Sequence, residues 1–132
     1  LPDPDGDLAT HLTVVFPSEE IARSVAGELG SRVLADSGWH IYSQMEHVLE
    51  QRTATMKGPP FHDADPPPPD QQQYRQGMLP QTDDLVNRAM SIGIGVADPN
   101  LGSSFGVTVR DGADAVHERA ERFCDVASRH LT

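Results

Sequence analysis

The sequence predicts an α+β fold, a small and largely antiparallel sheet packed with helices. Three observations carry that prediction. Near the start, HLTVVF (His11–Phe16) reads as a strand and leads directly into apolar residues at helical spacing. Further on, Ile92, Ile94 and Val96 alternate with glycines, and Phe105, Val107 and Val109 alternate with Gly106, Thr108 and Arg110, as in strands with one buried face. The C-terminal segment then places Val116, Ala120, Phe123, Ala127 and Leu131 three or four residues apart, the mark of a helix with one core stripe. A chain of 132 residues has the length of one domain, expected to span residues 1–132.

Residues 1–10 form a turn-rich leader. The run His11–Phe16 is apolar and β-branched, which suits a buried strand, and Pro17 ends it. Ser18 caps the helix that follows: Glu19 and Glu20 occupy its first turn, and Ile21, Ala22, Val25, Ala26 and Leu29 recur along one face before Gly30. Arg32–Ala35 reads as a short strand, Asp36-Ser37-Gly38 as a turn, and residues 43–51 as a short helix in a segment where Ile41, Met45, Val48 and Leu49 share one face.

Between Thr53 and Pro80 the pattern fails. The segments KGPP, DADPPPPD and QQQ lack helical or strand periodicity, and the proline run lacks backbone donors, so a long proline-rich loop or a partly disordered linker is expected. Thr82 reads as the N-cap of a further helix with Leu85, Val86, Ala89 and Met90 on its apolar face. The turn-rich ADPNLGS between the last two strands suits an antiparallel pairing, and Cys124 falls on the apolar face of the final helix as a small core residue.

Twenty acidic residues against ten basic ones give a formal charge of −10, which repels phosphate backbones and anionic membranes. Neither nucleic acid nor a membrane is an expected partner. The lone cysteine forms no intrachain disulfide and fits a reducing cytoplasm. No apolar run approaches the roughly 20 residues that span a bilayer, and LPDPDGD lacks the basic and apolar regions of an export signal.

The densest chemistry lies in Trp39-His40-Ile41-Tyr42 with Glu46 and His47. Tryptophan and tyrosine offer apolar area with a polar tip, and histidine offers a proton donor or acceptor near neutral pH. That set suits a sugar, so Trp39, His40, Tyr42, Glu46 and His47 are the candidate substrate-binding residues. The bland alternative is that the aromatics fill the core and the histidines lie in solvent. His40, His47 and His62 share one stretch without a compact metal-ligand spacing, so no metal site is expected. No G-x-S-x-G, Cys-His or P-loop pattern occurs, and the glycines of IGIGV read as strand positions that are exposed or closely approached. The only lysine, Lys57, sits among Gly58, Pro59 and Pro60, a poor place for a rigid, desolvated Schiff-base pocket.

Two stretches carry a family resemblance: GWHIYSQMEHVLEQ at Gly38–Gln51, and YRQGMLPQTDDLVNRAMSIGIGV at Tyr74–Val96, followed by LGSSFGVTV. They resemble the C-terminal region of the DegT–StrS family, pyridoxal-phosphate (PLP) aminotransferases of fold type I that act on keto-sugars attached to nucleotides or on cyclitols. The more specific pattern is L-P-x-T-D-x-L-x-x-R at Leu79–Arg88. The resemblance implies a small domain from sugar or antibiotic biosynthesis that completes a substrate pocket and a dimer. It also implies that PLP is held by a large domain, on the same or a separate polypeptide. This chain then binds no cofactor and supplies no catalytic residue alone. The rival from another class is a stand-alone sugar-binding or regulatory module that kept the fold and lost the enzyme.

Overall fold

The computed structural model describes residues 10–38, 41–52, 74–95 and 105–132. The fold is α+β, with three strands and four α-helices among those residues. The chain divides into two compact units, one made of residues 1–37 and 84–132 and the other of residues 38–83.

In the first unit, strand β1 (His11–Val15) leads through Pro17 and Ser18 into helix α1 (Glu19–Glu28). Ser18 is extended, and its hydroxyl accepts the Ile21 N–H at 3.3 Å, satisfying one of the amides that a helix start leaves open. Ala22, Val25, Ala26 and Leu29 are buried, as their spacing predicts. Gly30, with φ +68°, ends the helix in the left-handed conformation that glycine adopts without steric cost. Arg32–Ala35 does not form a strand. Val33 makes one isolated bridge to Met90, and a 3₁₀ turn (Leu34–Asp36) follows, with Ser37 donating backbone and hydroxyl hydrogen bonds to the Leu34 carbonyl.

Helix α3 (Pro80–Arg88) starts two residues before Thr82, because proline fits the first helical position, where no amide partner is needed. It ends at Arg88 and passes without a loop into strand β2 (Ala89–Gly95). Ala89 and Met90 are therefore buried as strand residues, whereas Leu85 on the helix is 48% exposed. Arg88 fastens the junction twice. Its carbonyl accepts the Phe16 N–H at 2.8 Å, and its guanidinium donates to the Phe16 carbonyl at 3.0 Å while pairing with Asp84.

The sheet order is β1-β2-β3, with β3 at Gly106–Thr108. β1 and β2 pair antiparallel, His11 opposite Gly93 through Val15 opposite Ala89. β2 and β3 pair parallel, Gly93 opposite Gly106, not antiparallel as the turn-rich connection suggests. The pairing is only three residues long, so the return spans roughly 7–10 Å, while ten residues (96–105) can reach about 33 Å. Turn residues mark a reversal of the chain; they do not restrict how far it then runs back.

Val14, Met90 and Ile92 share one sheet face and pack with α1, Val33, Phe105 and helix α4 (Ala113–His130). α4 contributes Val126, Ala127 and partly buried Phe123. Its stripe is shorter than predicted: Val116 and Leu131 are 44% and 52% exposed. Cys124 is exposed rather than core, because the buried face is centred on Phe123, Val126 and Ala127 and the next residue is turned about 100° away. The C-terminal ends of α1 and α4 are joined by Glu28, which accepts from His130 at 3.0 Å and pairs with Arg129. Those two contacts, His130 first, hold the Glu28 carboxyl below its ordinary range. Among the described residues the predicted buried strand His11–Phe16 is instead an edge strand: Phe16 is buried, but Leu12 and Val15 are 50% and 48% exposed. An apolar run records what a strand can bury, and its place in the sheet decides what it does bury.

In the second unit, a 3₁₀ turn (Tyr42–Gln44) and the short helix α2 (Glu46–Leu49) occupy the segment predicted helical. Of the predicted loop 53–80, residues 53–73 lie outside the described residues; a turn follows in which the Met78 N–H reaches the Arg75 carbonyl. Among the described residues no helix is long and apolar enough to cross a membrane.

Candidate functional site

The second unit brings parts of the two resembling segments into contact. Tyr42 stands at the start of its 3₁₀ turn, and its hydroxyl donates to the Asp83 carboxylate, 2.7 Å from Oδ1 and 2.8 Å from Oδ2. The same hydroxyl accepts the Leu79 N–H at 3.3 Å, and the Asp83 N–H bonds the Leu79 carbonyl at 2.9 Å. The result is a closed circuit of one phenol, one carboxylate and one helical turn. In a capping box, an acidic side chain reaches back to the amide at the head of its helix. Here Asp83 reaches the Leu79 amide through the Tyr42 hydroxyl. Gln76 adds a tie across the same segments, donating from Nε2 to the Ser43 carbonyl at 3.1 Å.

The electrostatics follow from this placement. Partial burial first, and then the hydrogen-bonded Asp83 carboxylate, push the Tyr42 phenol above the ordinary tyrosine value, with the Leu79 amide acting in the opposite sense. A raised phenol pKa favours the folded state while the group is neutral. That contribution is fully present below about pH 10, the unfolded value, and is lost as pH rises through the raised folded value. Ultraviolet titration of a Tyr74→Phe protein isolates Tyr42 and should show ionisation above pH 10; Asp83→Asn should bring it down. Titration of Tyr42 at the ordinary value in both proteins would remove the clamp.

Among the other candidates, Trp39 and His40 lie outside the described residues, as do Lys57 and His62. Glu46 and His47 are exposed on the first turn of α2, and no hydrogen bond or ion pair joins either to Tyr42 among the described residues. Sequence reasoning missed Asp83 as the partner of Tyr42. It lies 41 positions away, and the only available signal was that both belong to the segments that carry the resemblance.

The chain's only lysine, Lys57, lies outside the described residues, and the Asp83 carboxylate is engaged by the Tyr42 hydroxyl. Among the described residues no three His, Cys, Asp or Glu side chains converge as a metal site. Beside the clamp, Met78 to Thr82 line a shallow, mostly apolar recess of about 220 Å³. No protein-family model, curated protein or solved structure matches this chain.

Proposed function

We propose that this chain is the C-terminal small domain of a PLP-dependent keto-sugar aminotransferase of the DegT–StrS kind, working in the cytoplasm with a PLP-binding large domain. The observation that supports the reading is the Tyr42–Asp83–Leu79 circuit. It joins Tyr42 of the first resembling stretch to Leu79 and Asp83 of the L-P-x-T-D segment, so parts of the two stretches that carry the resemblance meet in one local unit. In this reading Tyr42 is a positioning residue. It holds its own turn against Asp83, and Trp39, His40, Tyr42, Glu46 and His47 are the residues proposed to bind a nucleotide-linked sugar or cyclitol. The large domain holds the cofactor and performs the transamination chemistry; this chain shapes the substrate side of the pocket.

Reconstitution tests it. The chain combined with a PLP-binding large domain of that family should form a complex that transaminates a nucleotide-linked keto-sugar, while the chain alone should show neither activity nor an imine absorbance. In the complex His40→Ala should reduce turnover without changing the melting temperature. Failure to form any complex, together with binding of nucleotide sugars by the isolated chain seen through Trp39 fluorescence, would replace this reading with that of a stand-alone binding module.

A further inference from the structure

We propose that the edge of β1 that pairs with no strand among the described residues pairs with the same edge of a second copy of this chain, in an antiparallel, two-fold arrangement with Thr13 of one copy opposite Val15 of the other. The backbone register leads to this. The Phe16 N–H reaches Arg88 and the Thr10 carbonyl accepts from Ile94, so the even-numbered residues of β1 turn their polar groups toward β2. The odd-numbered residues turn theirs outward. Thr13 and Val15 are both exposed there, and their outward N–H and C=O groups have no partner among the described residues.

Sheet edges exposed to water are ordinarily guarded by charges, prolines or bulges. In this chain 30 of 132 residues are charged at neutral pH, yet none falls between Thr10 and Pro17. The unguarded stretch is also apolar on both faces, with Leu12 50% and Val15 48% exposed on opposite sides. A second copy supplies what this edge accepts: an uncharged strand carrying the same two donors and two acceptors. Pairing Thr13 with Val15 satisfies all four groups of each copy, sets Val14 against its own counterpart on the two-fold axis, and brings Leu12 of one copy beside Phe16 of the other. Pro17, which has no N–H, ends the pairing. Two bodies of charge −10 then meet where neither carries charge, so association should strengthen as salt screens their repulsion. This inference is independent of the aminotransferase reading.

Sedimentation equilibrium of the 132-residue chain, at low and at roughly tenfold higher salt, tests it. The expected result is a monomer–dimer equilibrium favoured by salt. Val15→Lys should weaken it at least about tenfold, since a desolvated ammonium would face Thr13 across the pair. Adding Thr13→Glu to Val15→Lys should restore it, because each introduced carboxylate then faces an introduced ammonium of the other copy, in two symmetry-related pairs. Circular dichroism confirms that the variants fold. Hydrogen exchange on the unaltered protein needs no variant: the Thr13 and Val15 amides should become protected as concentration rises. A chain that stays monomeric at millimolar concentration, a dimer indifferent to Val15→Lys, or edge amides that exchange freely in the dimer would each overturn the proposal. Salt-weakened capture of a basic extended peptide by the monomer would overturn it in favour of a different occupant.

Discussion

Gly106→Ala should destabilise the fold by about 3 kcal/mol, combining backbone strain with overpacking. Gly106 has φ +151°, a conformation side chains rarely adopt, and it lies directly against Gly93 across the parallel pair. A β-carbon there would lie 2.6 Å from the Gly93 nitrogen and 2.8 Å from its α-carbon, and closer still to its carbonyl oxygen. All three are backbone atoms, which cannot rotate aside, so β3 would have to separate from β2. With the entropy typical of a chain this long, 3 kcal/mol lowers the melting temperature by roughly 10 °C. Gly93→Ala is the control. A β-carbon at Gly93 meets nothing within 4 Å, so its effect should stay within about 1 kcal/mol. Equal melting temperatures for the two variants would show that β2 and β3 do not approach this closely.

Met90→Ala should cost about as much for a different reason. Met90 is completely buried, sits opposite Val14 in β1 and bridges Val33 on its other side. Truncating a buried methionine costs roughly 2–5 kcal/mol, part from lost transfer energy and part from the cavity left behind. That is a large share of the 5–15 kcal/mol that ordinarily holds a domain together. Met90→Leu keeps most of the volume and should cost less than about 1.5 kcal/mol. Urea titration should show the midpoint falling in the alanine variant with the slope unchanged. A loss below about 1 kcal/mol would mean the site collapses easily and Met90 is not central to the core.

What the sequence made legible was local. Ser18, the two glutamates after it and the spacing of Ala22, Val25 and Ala26 all act within one helix, and that helix formed where its residues indicated. What it hid was relational. Nothing in HLTVVF says whether its neighbours lie on one side or two, so a strand fit for burial turned out to be an edge. Ala89 and Met90 continue a helical pattern as readily as they begin a strand, and only pairing with Val15 and Val14 decides between them. Cys124 looked internal because it stands next to Phe123 on the predicted stripe, whereas the buried face is centred on Phe123, Val126 and Ala127 and leaves its neighbour turned outward. The candidate site divides in the same way. Tyr42 was chosen for its chemistry, but the carboxylate that determines its behaviour comes from the other resembling segment, and no spacing rule reaches that far.

The antiparallel ladder between β1 and β2 also bears on how the chain acquires its structure. His11 pairs with Gly93, 82 positions away, whereas Gly93 and Gly106 are 13 apart. Closing the longer loop costs about 1.6 kcal/mol more in chain entropy than closing the shorter one. The segment from β2 to the end of α4 is therefore expected to assemble first from near neighbours, with β1 docking later. Until it does, the flank of β2 that receives it, Ala89 to Gly93, stays open. Refolding should be slow for a chain this size and sensitive to concentration, since another molecule's strand can occupy that flank first. Lengthening the proline-rich segment between the two strands, by contrast, should hardly change the rate or the final stability, because doubling a loop adds only about 0.6 kcal/mol.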